Sequence, residues 1–370
     1  MIHSPRQAPR QVLSKALLGI VLLAALAASC TSDASPETTT SVVTTLPPVS
    51  TTTTMPSSTT TLASTTTGIP GIEVSEAING LPAPDDLIDR RVVAIKIDNH
   101  KNARPQSGVE QADAVYEVLV EGGISRLIAL FHQSDADYVG PNRSGRPTDA
   151  QLIAALKGAP FQISGAQDWV QNIFRTEDIN VVYDNGTTTY RMPHRRAPHN
   201  LYTSSLLIRD WADDRGWPDE NPGNLLTFGE ATPGEVDASV VTIPFSGAFT
   251  TRWEWDGTTY VRFTAGEPHL WIDKDDASGP LTFDTVIALM VDESIVRNPA
   301  GTGTALPTAK TTGTGEAYVF VGGEAIVGTW ERASETDRFS LYGEDGSEIV
   351  LAPSRLWIAL VPDTQSVTWE

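Results

Sequence analysis

The chain has 370 residues, a formal net charge of −20 and a single cysteine. The acidic charge argues against nucleic acid as a partner and against electrostatic attachment to anionic lipid, and a lone cysteine can form neither an intrachain disulfide nor a thiolate zinc site. The sequence contains no Walker loop, no dinucleotide-binding glycine motif and no zinc-protease helix. We therefore expect no cofactor and no metal.

The first 29 residues have the pattern of a signal peptide. Basic residues precede an apolar run, 16–26, which is too short to span a bilayer. The sequence Ala27-Ala28-Ser29-Cys30 follows, with Ala27 where a lipobox usually has Leu. It resembles the lipobox of bacterial lipoproteins, and the resemblance implies that Cys30 carries a diacylglycerol. The alternative is a conventional signal peptide beside an incidental cysteine. We expect a protein outside the cytoplasm, anchored to the cell membrane by lipid on Cys30.

Residues 30–79 are predicted to be the lipidated cysteine and a disordered tether. Thr, Ser and Pro dominate residues 31–70, and such a segment cannot bury enough apolar surface to offset its chain entropy. Forty extended residues reach roughly 130 Å, and a flexible coil of that length averages about 35 Å. A folded body on this tether could sample the space above the membrane.

Residues 80–220 are predicted to form an α/β domain. Helices are expected from Thr148, where Thr148 and Gln151 have capping-box spacing, and over 167–174 and 203–215. Strands rich in β-branched residues alternate with these helices, and this alternation predicts an α/β layer arrangement. The predicted strands are 91–97, 114–120, 126–132, 161–164 and 179–183.

Residues 235–365 are predicted to form a mostly β domain, so the fold class of the whole chain is mixed, α+β. Many short strands with close turns indicate a small barrel or a sandwich. The stretch 217–234, rich in Gly, Pro and Asn, is the predicted boundary between the domains. The segment 298–315, rich in Gly and Thr, is predicted to be a long surface loop.

Charged and polar residues cluster in the loops and strand ends of the first domain. Open α/β sheets place ligands at such positions, and forked arginine donors beside a helix start suit a carboxylate or a phosphate. The candidate ligand-binding residues are Asp98, Asn99, Arg104, Glu117, Glu121, Arg126, Arg143, Arg146, His199 and Asn200.

Each candidate also has a structural interpretation. Asp98 and Asn99 could cap turns, because such side chains bond to nearby amides. Arg126 could pair with Glu117 or Glu121 to hold adjacent strands together. His194 and His199 lie in one loop, but a metal site would need further ligands that the sequence does not supply at an obvious spacing.

Four motifs resemble those of the YerB-like lipoproteins, a bacterial family with paired N- and C-terminal domains of unknown function. The resemblance covers roughly residues 80–362, and the sequence departs from the family pattern at Asn142 and Gly145, where the family usually has Val or Ile and Ala. The resemblance implies the architecture and the membrane address, but no reaction. The motifs are Ile97–Gly108, Ala112–Glu117, Glu121–Arg126 and Gly140–Pro147.

Two functions remain open. The first is a non-catalytic envelope lipoprotein that binds an anionic wall component or a protein partner. The second is an enzyme acting on envelope glycopolymers by glycosyl or phosphoryl hydrolysis or transfer. In it, Asp98 or Glu117 is the base or a metal ligand, and the anion is clamped by Arg104, Arg143 and Arg146. Convergence of Asp98, Glu117, Arg143 and His199 in one pocket would favour the enzyme.

Overall fold

A sheet of eleven strands runs through the described part of this computed structural model, which is Ala77–Glu370. The predicted signal peptide, the lipidation site at Cys30 and nearly all of the predicted tether lie outside the described residues. Ala77 and Ile78 are fully buried, and Ile78 belongs to the main hydrophobic core. The folded part of the chain therefore includes residues just before the predicted start at residue 80.

The N-terminal half mixes helices with strands. Its helices are α1 (Asp85–Ile88), α2 (Pro147–Ile153), α3 (Asp168–Thr176) and α4 (Ser205–Asp213). Its strands are β1 (Val93–Asp98), β2 (Ala114–Leu119), β3 (Ser125–Phe131), β4 (Phe161–Gln162), β5 (Val181–Val182), β6 (Thr189–Arg191) and β7 (Leu201–Thr203). Short 3₁₀ turns occupy Lys101–Ala103, Val109–Gln111, Glu121–Gly123 and Ala154–Leu156.

The C-terminal half is largely β. Its longer strands are β9 (Val240–Ser246), β10 (Phe249–Trp255), β11 (Tyr260–Thr264), β16 (Thr285–Val291), β19 (Gly313–Val321), β20 (Glu324–Arg332) and β22 (Leu356–Pro362). Its shorter strands are β8 (Val236–Asp237), β12 (Glu267–Pro268), β13 (Leu270–Ile272), β14 (Ser278–Pro280), β15 (Thr282–Phe283), β17 (Glu293–Val296), β18 (Leu306–Ala309), β21 (Ser340–Gly343) and β23 (Thr368–Trp369).

The large sheet takes strands from both halves, in the order β21-β20-β19-β16-β22-β2-β3-β1-β4-β5, with β8 added beside β20. The halves join where β2 pairs in parallel with β22, from Ala114 opposite Leu356 to Val118 opposite Leu360. Strand β22 is a continuous apolar run because both faces of the sheet are covered there. All seven residues of β22 are buried.

Layers of different kinds cover the two faces of the large sheet. Helices α2 and α3 pack on one face with residues such as Leu152 and Phe174. A six-stranded sheet, β12-β11-β10-β9-β23 with β15 beside β11, packs on the other face, together with α4. Among the described strands no closed barrel is found, so of the two predicted arrangements the sheet-on-sheet packing is the one observed.

The structure differs from the predicted elements in three details. Helix α2 begins at Pro147 after Arg146, whose N–H donates to Asp149 Oδ2 at 2.7 Å. The predicted capping pair is engaged elsewhere, since Thr148 accepts from the amide of Ala309 and Gln151 accepts from Thr311. Helix α4 begins after Ser204, whose hydroxyl accepts from the amide of Leu206, so it is shorter at both ends than 203–215.

The third difference between prediction and structure is the segment 298–315, which was predicted to be a surface loop. It contains β18 and the start of β19, because Leu306 and Ala309 are buried against the core. No helix between Ala77 and Glu370 combines the length and the apolar character needed to cross a bilayer.

Candidate functional site

Glu117, on strand β2, is the centre of a buried polar network. Neither Glu117 nor Arg262 of β11 has any solvent exposure, and Arg262 Nη2 donates to Glu117 Oε1 at 2.5 Å. The indole of Trp357 donates to Glu117 Oε2 at 2.9 Å, and the Ser125 hydroxyl donates to Oε1 at 2.5 Å. Both carboxylate oxygens are therefore occupied, and the buried charge is paired as burial requires.

The same network continues to the loop that follows β1. Gln106 donates to the backbone oxygen of Asp98 at 3.0 Å and to Asn99 Oδ1 at 3.1 Å. Its own Oε1 lies 2.6 Å from His269 Nε2. Burial, followed by the charges of Arg262 and Arg104, lowers the pKa of His269 well below its ordinary value, so this ring is neutral and donates from Nε2.

Asp98, the last residue of β1, joins two loops. Its Oδ2 lies 2.7 Å from Nδ1 of His199, which precedes β7, and 3.3 Å from Nε of Arg143, which precedes α2. Its Oδ1 accepts from the amide of His100 at 3.0 Å. Asp98 is only 1% exposed, whereas the side chains of His199 and Arg143 are 13% and 26% exposed. The buried Asp98 carboxylate therefore orients the side chains of His199 and Arg143, which solvent can reach.

His100 and His199 stack face to face above Asp98. Their ring centroids are 4.8 Å apart and the planes differ by 10°. Nδ1 of His100 accepts from the amide of Asn102 at 3.2 Å. Burial, and next the charge that His199 carries when it is protonated, lowers the pKa of His100, so the His100 ring is neutral near pH 7.

Glu121 gathers two of the predicted arginines into a separate ion-pair cluster. Arg146 Nε donates to Glu121 Oε2 at 2.7 Å, and Arg126 Nη2 donates to Oε1 at 3.1 Å. Burial opposes ionisation of Glu121, but the hydrogen bond from Arg146 and the charges of both arginines outweigh it and lower its pKa to about 2. The side chains of Arg126 and Arg146 are 5% and 7% exposed, so both guanidinium groups are largely held inside the protein.

A pocket of about 560 Å³ opens between the loop 100–104 and the turn that joins β9 to β10. Arg104 donates through Nε and Nη2 to the backbone oxygen of Asn99 and lies 5.8 Å from the centre of the Phe249 ring. Burial, followed by the charge of Arg262, lowers the pKa of Arg104 to about 10, so it stays charged at neutral pH. The charged and aromatic residues that line the pocket are His100, Lys101, Arg104, Arg252, Phe249 and Phe263.

The structure thus brings Asp98, Arg143 and His199 together but holds Glu117 inside the protein. Asn99 is buried and bonds to Ser125, and Asn200 accepts from Arg191 in the β6–β7 hairpin. Neither asparagine side chain lines the pocket.

Sequence reasoning missed the residues that the second half supplies, and it left His100 and Lys101 out of the candidate set. The motif Asp98-Asn99-His100 offered a signal for His100. Nothing in the sequence indicated that Phe249 and Phe263 face this loop, or that Arg262 pairs with a residue 145 positions earlier. Contacts of this range follow from the strand order.

The architecture and this site are those of a paired-domain family. The N-terminal domain of the family described as protein of unknown function (DUF3048) matches residues 78–218, and its C-terminal domain matches residues 241–358. The chain belongs to this family, which confirms the resemblance to YerB-like lipoproteins.

Two similarities to Bacillus subtilis YerB agree with this assignment. The chain is 26% identical to YerB of strain 168, named as a proposed lipoprotein, over 305 residues that cover 79% of this chain and 87% of YerB. The crystal structure of YerB matches with a TM-score of 0.68 and 24% identity, covering 79% of this chain and 99% of that chain. The structural match shows that the two proteins share a fold.

Proposed function

We propose that this protein is a lipid-anchored envelope module that binds an anionic wall component in the pocket beside His100. The observation that carries the proposal is the positive lining of this pocket in a chain of net charge −20. Within residues 77–370, Lys101 has no ion-pair partner and Arg104 Nη1 donates no hydrogen bond. Both are therefore free to donate to an anion.

The pocket also suits a ligand with a ring or a chain. Its volume of about 560 Å³ lies within the range of about 300–1,000 Å³ typical of small-molecule sites. Phe249 and Phe263 supply apolar surface beside the cations, and the guanidinium of Arg252 lies 4.6 Å from the Phe263 ring centre. A saccharide unit that carries a carboxylate or a phosphate meets both requirements.

A glycosidase based on Asp98 and Glu117 has less support. Glycosyl hydrolysis needs two carboxyl groups that flank the scissile bond. Asp98 is 1% exposed and Glu117 is fully buried, and every carboxylate oxygen of the two already contacts a protein donor. A sugar could not reach them without displacing the network that holds the loop.

The membrane address rests on Cys30 and on the lipoprotein relative. Two acyl chains anchor a protein firmly, and one chain holds it only marginally. Labelling cells with an alkyne fatty acid should mark the wild-type protein and leave the variant Cys30→Ala unlabelled and released from membranes. The variant Ser29→Ala is the matched control and should stay labelled. Equal labelling of Cys30→Ala would refute the anchor.

The binding test compares matched cation variants. Acidic saccharide fragments released from isolated cell walls are titrated calorimetrically into residues 31–370, the chain without its predicted signal peptide and Cys30. We expect the double variant Lys101→Gln plus Arg104→Gln to weaken binding at least tenfold at an unchanged melting temperature. Lys310→Gln, an exposed lysine away from the pocket, should bind like the wild type. Equal binding by all variants would refute the pocket.

A further inference from the structure

We infer that His199 and His100 form a hydrolytic site in which His199 activates water against a carboxylic ester of an anionic substrate and His100 stabilises the oxyanion. The inference rests on the proposed anion pocket, because His100 lines that pocket and stacks on His199 at 4.8 Å. It goes beyond binding by assigning an activity, a general base and an ester substrate.

The hydrogen bonds assign the proton on His199. A carboxylate oxygen only accepts, so the 2.7 Å contact between Asp98 Oδ2 and His199 Nδ1 places the proton on Nδ1. The neutral ring then has its lone pair on Nε2. Within the described part of the chain, this atom has no hydrogen-bond partner, and the side chain is 13% exposed to solvent. Asp98 thus fixes the tautomer and orientation that a general base needs.

The opposite tautomer is assigned to His100. Its Nδ1 accepts from the amide of Asn102, so the single proton of the neutral ring lies on Nε2. The lowered pKa of His100 favours this neutral form near pH 7. Two parallel imidazoles therefore present different groups: His199 a lone pair and His100 an N–H donor.

This pair suits acyl transfer. Nε2 of His199 takes a proton from water as the water oxygen bonds to the ester carbonyl carbon, and the carbonyl oxygen becomes an oxyanion that accepts from His100 Nε2–H. The tetrahedral adduct then collapses, the bond to the alkoxy oxygen breaks, and His199 returns its proton to that oxygen. The products are a carboxylic acid and an alcohol, and His199 is again neutral.

A further cation beside the histidines defines the charge of the substrate. The terminal amines of Arg143 have no hydrogen-bond acceptor within residues 77–370, although its Nε faces Asp98. Together with Lys101 and Arg104 of the pocket, Arg143 would hold the negative charge of the substrate beside the histidines.

The test compares an anionic ester, 4-acetoxybenzenesulfonate, with the neutral ester phenyl acetate. The sulfonate also makes the phenolate a better leaving group, so each kcat/KM is divided by the rate constant of the same ester in buffer. We expect the wild type to give the higher ratio with the anionic ester. His199→Gln should lower that rate about 10²- to 10⁴-fold. His194→Gln, an exposed histidine in the same loop, is the matched control for adventitious imidazole catalysis and should retain the full rate. Melting temperatures establish that each variant is folded.

A second measurement separates this inference from the proposed binding function. Benzenesulfonate cannot be hydrolysed, and its affinity should be the same for wild type and His199→Gln. If benzenesulfonate binds but the ester is hydrolysed at the buffer rate, or equally by His199→Gln, the hydrolytic site is refuted and the pocket stands. If benzenesulfonate does not bind and Lys101→Gln plus Arg104→Gln has no effect on wall-fragment binding, the pocket fails and the hydrolytic site fails with it.

Discussion

Glu117 and Arg262 form an ion pair that joins the large sheet to the six-stranded sheet, with no part of either side chain exposed to solvent. Trp357 lies on the strand beside that of Glu117. Its indole donates a hydrogen bond to Glu117, and its ring lies 4.7 Å from the Arg262 guanidinium. The pair therefore connects the two sequence segments that the family defines as separate domains. Because the pair is buried, removing either charge would leave the other without a counterion inside the protein.

The first prediction concerns this pair. Glu117→Gln leaves the Arg262 charge buried without a counterion, and losses of about 3–5 kcal/mol are typical when one partner of a buried pair is removed. We expect Arg262→Leu to destabilise similarly, and the double variant Glu117→Gln plus Arg262→Leu to lose less than the sum of the two single losses. Urea unfolding provides the comparison. Arg252→Gln, which breaks the partly exposed pair with Glu254, should cost less than about 1 kcal/mol.

Additive single losses in that cycle would show that the two groups act independently. Such a result would contradict the coupling that the 2.5 Å contact between Arg262 and Glu117 implies.

The second prediction concerns the acid limb of stability. The pKa of Glu121 falls from 4.5 to about 2 on folding, because the arginines outweigh the cost of burial. Its ionised form therefore stabilises the fold fully above pH 4.5, and this contribution is lost as pH falls towards about 2. Glu121→Gln should flatten the fall of the urea midpoint between these values. Glu230→Gln, at an exposed site, should leave the slope unchanged, and an equal slope for Glu121→Gln would contradict the assignment.

Local patterns predicted the secondary structure better than they predicted the site. The β-branched run 91–97 became β1, and the loops after β1 and before β7 did bring Asp98 and His199 together. The sequence around Glu117 resembles that of a surface strand end. Its burial follows from β22 pairing beside β2, a parallel contact between residues far apart in the chain.

The pocket was beyond prediction for the same reason. Lys101 and Arg104 come from the loop 100–104, whereas Arg252 and the aromatic side chains come from β10 and β11. Only the packing of the second sheet over the first brings them together, and no local periodicity encodes that contact. The prediction for segment 298–315 failed for a different reason. Its Gly and Thr content indicates a loop, but Leu306 and Ala309 complete the core beside α2.

The third prediction tests the contact between the sheets with two adjacent glycines. Gly322 and Gly323 form the turn between β19 and β20 with φ of +64° and +82°. A Cβ on Gly322 meets nothing within 4 Å, whereas a Cβ on Gly323 would lie 2.8 Å from Cδ1 of Trp255 on the other sheet. Both alanine variants incur left-handed backbone strain of about 1–2 kcal/mol. Gly323→Ala should lose about 1–3 kcal/mol more through overpacking, measured by urea unfolding.

Equal stability of the two alanine variants would show that Trp255 moves aside at no cost in free energy. The predicted overpacking between the sheets at Gly323 would then be contradicted.

The fourth prediction concerns the pH dependence of anion binding. Arg104, with its pKa lowered to about 10, keeps its charge through neutral pH, so affinity for benzenesulfonate should hold to about pH 9 and fall as pH passes about 10. Burial, the charge that His199 carries when it is protonated, and the charges of Lys101 and Arg143 lower the pKa of His100, and the charge of Asp98 opposes them. Protonation of His100 should therefore strengthen binding only below pH 6.5, the ordinary pKa of a histidine.

Calorimetric titration across this range checks both limbs, because the sulfonate keeps one charge throughout. His100→Gln should abolish the gain at acid pH and leave the alkaline fall in place, whereas Arg104→Gln should weaken binding at neutral pH and make the alkaline fall smaller. A loss of affinity in the wild type between about pH 6.5 and 8 would mean that a protonated histidine holds the anion at neutral pH. That outcome would contradict the neutral His100 tautomer, since this ring can donate from Nε2 near pH 7 only while its Nδ1 accepts from Asn102.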